Sequence, residues 1–569
     1  MATDTVVVGR VADGRFAFVA VDGEAAPTGP AQELTADALP AAIAARQDDG
    51  DVRWVWADST LLYPRLLEAG VRVVRVWDLR LVHGILRDAQ AVTDDHGLRA
   101  SGEWDAGTTA PRSGDTLFDL GEAASGIPET LTAALAEYRR QIAAIASSTS
   151  PGALRLLCAA ESAGALIAEE LQAAGVPWSR RAHEDMLERE LGARRGGGLP
   201  ARIEQTAAVV RAALDDPSAS LDSQPRLLRS LRRAGVLVQA TSRWELSEHD
   251  HPVVAPLIAY KKQMRLYTAN GWAWLDEWVR DDRFRPVYVP AGVVTGRWAS
   301  SGGGALQIPR ALRTAVRADP GWTLVTADVA QLEPRVLAAM SRDTALAEAA
   351  SGRDLYAGIV ERGAVASRAE AKLAMLGAMY GATTGESGRL LPRLRRTFPR
   401  AMALVDEAAR VGEDGGVVHT WLGRTSPTAG STWRDLQSRA SDAAASGIDE
   451  TRARRSARDR GRFTRNFVVQ GTAAEWALAW LADLRTRLSA FPDVDAARSA
   501  PASGPVFHRS PHLAFFLHDE IVVHTPVEYA DAVAEAVRES AASAGRLLFG
   551  SFPLDFPLDL RIGPTAEKA

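Results

Sequence analysis

Near the end of the chain, the stretch HLAFFLHDEIVVHTP sets two apolar runs, LAFFL and IVV, on either side of His518, Asp519 and Glu520. Short apolar runs joined by a tight polar step fold as a β-hairpin. The runs hardly alternate, so both faces of the hairpin must be covered, which calls for a sheet packed against other elements. Two acids thereby stand at the mouth of a buried hairpin. Carboxylates in such a place are costly unless they are paired or hold a metal. Acidic turns occur in proteins of every kind, so the hairpin by itself selects no function.

A second segment, TLVTADVAQLEPRVLAAMSRD, reads as a strand that delivers Asp328 and then turns into a helix carrying Glu333 and Arg335. A carboxylate at a strand end suits a hard cation such as Mg²⁺, which takes few protein oxygens and leaves room for phosphates. Asp328 and Asp519 are 191 residues apart. If the fold joins them, they form the minimal platform for two-metal phosphoryl transfer. In a third segment, SRAEAKLAMLGAMYG, Arg368, Lys372, Leu376 and Tyr380 recur every fourth residue and share one helix ridge. Two cations followed by an apolar and an aromatic residue match a nucleoside triphosphate, phosphates first, then sugar and base. Lys372 stands out, because only Lys261, Lys262, Lys372 and Lys568 among the 66 basic residues are lysines. A lysine where arginine is the default marks a need for a compact ammonium.

Hydrophobic residues make up 46% and charged residues 24% of the chain, which excludes wholesale disorder. A length of 569 residues predicts three or four domains. No uninterrupted apolar run reaches the roughly 18 residues that span a bilayer, so no membrane partner is expected. The opening MATDTVVVGRVADGR lacks the pattern of a signal peptide, and a single cysteine, Cys158, can form neither an internal disulfide nor a cysteine-rich zinc site. These features predict a cytoplasmic location. A net charge of −5 argues against a uniformly basic coat protein, but phosphate contacts depend on local patches. Two such patches are present: 452–465 holds seven arginines and one aspartate, and 389–400 holds five arginines without an acid.

Strand and helix patterns alternate over 1–90, a loop-like stretch covers 94–115, and SSTSPG (147–152) reads as a linker. From 153 to 285 the pattern is helical, with PLIAYKKQMRLYTANGWAWLDEWV as one long helix or two in series. Strand and loop return near 286. Helices follow over 330–412 and 432–490, with strands around 513–525 and a final helix at 527–546.

The three acidic and basic segments, in this order, resemble the three sequence motifs of family A DNA polymerases, the large-fragment type of bacterial DNA polymerase I. TGRWASSGGGALQIP resembles the family's Thr-Gly-Arg segment, HTWLGRTSP its Thr-x-x-Gly-Arg segment, and RFTRNFVVQGTAAE the Arg, Asn and Gln face of a palm helix. The similarity covers about 220–569. It implies a multidomain α/β and α+β architecture: an RNase H-like, 3′–5′ exonuclease-type domain at 1–150, a helical connector and thumb at 151–285, palm at 286–340 and 441–569, and helical fingers at 341–440.

Residue by residue, the resemblance implies that Asp328 and Asp519 bind two Mg²⁺ ions, for which Mn²⁺ can substitute, with Glu520 in a lesser role. Arg368 and Lys372 would hold the incoming dNTP, and Lys372 would protonate the departing pyrophosphate. Leu376, Tyr380 and Gln331 would line the dNTP site, with Glu333 as a steric gate against a 2′-hydroxyl. Thr295, Arg297, Gln307, Arg424, Arg462, Asn466, Gln470 and His518 would contact primer–template DNA, as would Lys261 and Lys262 on a thumb helix. The implied partners are primer–template DNA and dNTPs, met by a monomer at the nucleoid.

The chain departs from the family at Val329, where tyrosine is frequent, and at Leu376, where phenylalanine or tyrosine is usual. In the N-terminal region, Asp22 and Glu24 have the Asp-x-Glu spacing of a 3′–5′ exonuclease but lie in the turn-like DGEAAP. Asp58, His83 and Asp88 do not complete the set, and no Tyr-x-x-x-Asp occurs. An inactive N-terminal domain is therefore expected. The alternatives left open are active proofreading, a single-subunit RNA polymerase, which Glu333 disfavours, and a non-catalytic DNA-binding protein.

Overall fold

The computed structural model describes residues 4–105, 126–194, 196–302, 304, 309–352, 354–381, 385–442 and 445–567. The chain separates into two compact units. The first comprises Met1–Gly175, Pro286–Leu306 and Asp319–Pro564; the second comprises Val176–Arg285, Gln307–Ala318 and Thr565–Ala569.

The first unit opens with a five-stranded sheet. Its strands β1 (Asp4–Arg10), β2 (Phe16–Val21), β3 (Gln32–Leu34), β4 (Val52–Trp56) and β5 (Arg75–Asp78) lie in the order β3-β2-β1-β4-β5. β1 runs antiparallel to β2 and parallel to β4, which runs parallel to β5. β1 is apolar on both faces because each face has a cover. Val6 and Val8 pack with Trp54 and Trp56 in one cluster, and Val7 packs with Val55 and Trp77 in another. The helix α1 (Pro151–Ala174) starts with proline in its first turn, where no N–H is missed, and stops at Gly175 with φ 68°. The expected linker at 147–152 is thus a turn running straight into this helix. By length and composition, α1 is the one helix among the described residues able to cross a membrane. It is instead a core helix whose Leu154, Leu157 and Leu166 feed both clusters.

The same unit contains a four-stranded antiparallel sheet. Its strands are β6 (Trp322–Val329), β7 (His512–Leu517), β8 (Glu520–Pro526) and β9 (Leu558–Gly563), in the order β7-β8-β6-β9. The hairpin and the Asp328 strand are therefore neighbours. β9 was not foreseen, although LDLRIG alternates with period two. Beside this sheet lie the helix Ala530–Phe549 and the 42-residue helix α4 (Gly447–Leu488), which a Ser446–Asp449 capping box starts. A helical cluster is built on Leu337, Met375, Phe398, Val405 and Phe467. It holds α2 (Leu332–Ser341) and α3 (Arg368–Tyr380).

Buried ion pairs tie the N-terminal layer to α4. Glu170 of α1 accepts from Arg485 of α4 and from Arg72, and Tyr63 donates to it at 2.6 Å. The Glu170 carboxyl is buried, which opposes ionisation, yet Arg485 and Arg72 hold it down at about 2.

The second unit is mostly helical, as expected. Its 254–278 segment is two helices, Val254–Asn270 and Trp272–Trp278, divided at Gly271. Trp178, His183, Trp274 and Phe284 form its aromatic centre. His183 bonds to the Asn270 carbonyl at 2.9 Å and is kept neutral by burial, with its pKa lowered to about 4.

Candidate active site

Strand pairing brings the two acids together. Asp328, near the end of β6, lies opposite Glu520 of β8 on one side and Asp559 of β9 on the other. Residues directly opposite in an antiparallel pair share a face, so three carboxyls run across the sheet in register. Asp519 sits in the hairpin turn beside His518, whose φ is 55°. Its backbone carbonyl accepts from Val329 N–H at 2.9 Å, which fixes the turn against the residue after Asp328. The Asp519 carboxyl is pushed up to about 6, first by burial and then by the negative charge of Asp328. Glu520 is buried at 3% exposure and faces Asp328 from inside the sheet.

This mutual repulsion is what a divalent cation relieves, so the donor set fits Mg²⁺. Among the described residues no three carboxyl, imidazole or thiol groups converge tightly enough to cage an ion by themselves. That also suits Mg²⁺, which is held by one or two carboxylates plus water and phosphate oxygens.

A cavity of about 310 Å³ opens beside Asp519 and is lined by Arg297, Gln331, Glu333, Tyr380, Ala474, Phe516 and His518 among others. That volume is at the lower end of the small-molecule range. At its centre Glu333, from the first turn of α2, is ion-paired with Arg297 and accepts from the Tyr380 hydroxyl at 2.5 Å. Burial and this bond raise the Tyr380 pKa, so the ring stays protonated and donating. His518 is neutral, with its pKa lowered to about 4 by burial and then by Arg297.

From Tyr380 the ridge of α3 runs outward. Tyr380, Lys372 and Arg368 are exposed and Leu376 is half-buried against the helical cluster. Arg368 donates to Asp354 at 2.8 Å, and Gln331 donates to the same oxygen at 3.0 Å. Burial opposes charge on Asp354, but the bonds from Arg368 and the Ala357 amide hold its carboxyl below the usual range. Asp354 was missed in the sequence, where it reads only as the N-cap of a helix; its reach to Gln331 and Arg368 is a property of the fold. Asp559 was missed with its strand.

Two other expected contacts differ in place, those of Arg424 and Lys261. Arg424, expected on a DNA-facing surface, is buried and ion-paired with Glu161 of α1, because the chain after Thr420 folds inward against α4. There its guanidinium lies under Gly296: a Cβ on that residue would fall 2.7 Å from Nε of Arg424, and its φ of 85° also requires glycine. Arg424 therefore supports the turn that carries Thr295 and Arg297. Lys261, in the second unit, spends its ammonium on Thr241, while Lys262 is exposed. Gln307 lies outside the described residues.

Thr295 donates to Gln470 of α4 at 2.9 Å. Asn466 and Arg462 follow on the same face, and the Arg462 stem lies on Gly381, next to Tyr380. In the N-terminal layer, Asp22 caps its own turn through the amides of Glu24 and Ala26. Asp58 caps a helix and is ion-paired with Arg80, and His83 bonds to Glu137 at 2.8 Å. Asp88 pairs with Arg87 on the surface.

The sequence profile of DNA polymerase family A matches residues 229–566. DNA polymerase I of Chloroflexus aurantiacus is 28% identical over 376 residues, 61% of this chain and 36% of that protein. The thermostable DNA polymerase I of Thermus aquaticus is 25% identical over 528 residues, 85% of this chain and 54% of that one. The chain thus spans from about a third to just over half the length of these relatives. A solved structure, the POL domain of Pol1 from M. smegmatis in complex with DNA primer-template and dNTP, superposes with a TM-score of 0.62 at 18% identity. It covers 100% of this chain and 96% of that one, and the likeness is one of mixed helix and sheet fold. With more than half of its length matched by the profile, and the cavity's residues inside the matched span, the chain belongs to DNA polymerase family A.

Proposed function

We propose that this protein is a DNA-directed DNA polymerase that adds dNTPs to a primer 3′-hydroxyl under template direction, in replication or repair. The observation that carries the reading is the adjacency of Asp328 and Asp519, the latter lining a cavity walled by Arg297, Glu333 and Tyr380. Two Mg²⁺ ions held by Asp328 and Asp519 would supply activation of the 3′-hydroxyl and charge stabilisation on the leaving pyrophosphate. The bond formed joins the primer oxygen to the α-phosphorus, and the bond broken releases pyrophosphate. Arg368 and Lys372, exposed on one ridge of α3, would orient the triphosphate, for which Arg368 must exchange its carboxylate partner Asp354. Lys372 would give its proton to the pyrophosphate, a task for which arginine is too weak an acid. Glu333 would stand under the sugar. Its fixed position between Arg297 and Tyr380 supports that role, because a pinned side chain makes a firmer wall. Glu520 would support Asp328 from the neighbouring strand. The reading carries with it action as a monomer at the nucleoid.

We also propose that the N-terminal layer is a 3′–5′ exonuclease-like, RNase H-like domain without excision activity. Three observations support this. The end of β1 carries Gly9 and Arg10 rather than acids, and Arg10 N–H bonds to the Glu129 carbonyl at 2.8 Å. The backbone of Leu131 closes over the strand end, where a Cβ on Gly9 would fall 2.4 Å from its nitrogen. The cavity left there, beside Asp58, is about 30 Å³, far below the size of a nucleotide pocket.

Extension of a labelled primer by wild type, Asp328→Ala and Asp519→Ala tests the reading. Wild type should extend with dNTPs and Mg²⁺; each variant should lose all but a few per cent of the rate while still binding primer–template. A variant that extends at a substantial fraction of the wild-type rate would refute the assignment.

A further inference from the structure

Of the two cations on the α3 ridge, one already has a carboxylate. Lys372 is exposed and has no ion pair among the described residues. Arg368 instead donates to Oδ2 of Asp354 at 2.8 Å and lays its guanidinium over the Tyr356 ring, 5.5 Å from the ring centre. The other oxygen of Asp354 accepts from the Ala357 N–H at 2.9 Å and so starts the helix Leu355–Glu361. Gln331, three residues after Asp328, joins the same group. Its amide donates to Oδ2 at 3.0 Å, and its carbonyl oxygen accepts from the Leu355 N–H at 3.4 Å. A helix cap needs one oxygen, which serine or asparagine supplies as well as aspartate does. The negative charge of Asp354 is therefore not required to start the helix; it acts on Arg368.

Both partners are partly open to solvent, with side-chain exposures of 59% for Arg368 and 31% for Asp354. An ion pair so placed biases an equilibrium by about five-fold at most. That suffices to keep the guanidinium on the carboxylate in the empty enzyme. It is weak enough for a triphosphate, which offers more charge and paired oxygens, to take the guanidinium away. The exchange costs Asp354 little, because the Ala357 and Gln331 donors stay with it. A ligand that must first open a pair binds with its affinity lowered by the fraction of molecules in which that pair is open. The lowering applies to every phosphate ligand of Arg368, whether it enters as substrate or leaves as product. We propose that Asp354 is a positioning residue that competes with phosphate for Arg368, weakening the hold on the incoming dNTP and, by the same factor, on the departing pyrophosphate. This rests on the polymerase reading above, in which Arg368 holds the triphosphate.

The experiment compares wild type with Asp354→Asn, which keeps a cap oxygen for the Ala357 amide and removes the charge. Asp354→Ser does the same with a shorter side chain and takes its place if the asparagine variant melts early. Two constants are read. One is the Kd of the matched dNTP on a primer–template whose primer ends in a dideoxynucleotide. The other is the pyrophosphate concentration that halves extension of an ordinary primer at a fixed ratio of dNTP to its Kd. Both should fall by about two- to five-fold in the variant, while the Kd for primer–template stays at the wild-type value. In an Arg368→Gln background the same substitution should move neither constant, because the carboxylate has no guanidinium left to hold. A rise in the dNTP constant would mean that Asp354 presents Arg368 to the triphosphate and would overturn the proposal. Opposite movement of the two constants, no movement of either, or an undiminished effect in the Arg368→Gln background would overturn it too. Failure of wild type to extend any primer would instead refute the polymerase reading on which it rests.

Discussion

Glu333 is held by two partners of different kinds, a cation from the Thr295–Arg297 turn and a phenol from the end of α3. Glu333→Ala should therefore do more than open space beneath the sugar. It should collapse discrimination between dNTP and rNTP, measured as the ratio of kcat/KM values, and also release Arg297 and Tyr380. Leu376, one turn before Tyr380, is half-buried against the helical cluster, and in the polymerase reading it would offer the sugar a shorter wall than an aromatic ring. Leu376→Phe should raise the same ratio, within the roughly 10–200-fold that one apolar contact can supply; an unchanged or lowered ratio would refute this view of the pocket. Glu161 acts at one remove. Glu161→Ala leaves the Arg424 guanidinium buried without its partner, at a cost of about 3–5 kcal/mol in a urea melt. It should also raise KM for primer–template through the Gly296 turn, and Glu161→Gln should recover much of both. A wild-type KM in the alanine variant would mean that Arg424 does not steady that turn.

At the scale of elements, α1 carries a group whose charge is set by packing. Glu169 is buried, and its carboxyl is pushed up to about 8, first by burial and then by the charges of Asp58 and Asp78. A folded pKa above the unfolded value means that its stabilising contribution is full below about pH 4.3 and is lost as pH rises through about 8. Asp78, raised to about 6 mainly by burial, acts in the same direction. Glu169→Gln, neutral at every pH, should thus gain on wild type as pH rises from 5 to 9, by an amount of order a few kcal/mol in urea denaturation. A constant difference across that range would exclude the effect. Elements such as these were legible to different degrees. The hairpin at 512–526, the Asp328 strand and the 368–380 ridge showed in the sequence because their signals are local, a run or a period within one element. The Glu161–Arg424 pair did not, because its members lie 263 residues apart and, although Arg424 stands in a recognisable segment, nothing around Glu161 marks it as the partner. β9 escaped because it is a half-exposed edge whose alternation is short. Asp354 escaped because an N-cap aspartate looks the same whether or not its second oxygen serves a site.

For the molecule as a whole, the closed end of β1 predicts that purified protein will not shorten a mismatched primer in Mg²⁺ without dNTPs. Steady shortening, lost on Asp58→Ala, would mean that the cleft beside Gly9 opens in solution. Without excision, selection would have to be made before the bond forms, in the cavity whose walls α3 and α4 supply. The length of α4 then has a mechanical side. Its 42 residues make one rod of about 63 Å, gripped near one end where Arg485 is buried among Glu170, Tyr63 and the Val73 carbonyl. About 42 Å of it extends from Glu475 to the Gly447 tip, so a tilt of about 5° there sweeps the tip through about 4 Å. A rod that rocked at the sheet would carry with it the helices Pro399–Glu413 and Ser431–Ala440 packed on its far half, so a small tilt at one end is a nucleotide-sized stroke of that whole group at the other.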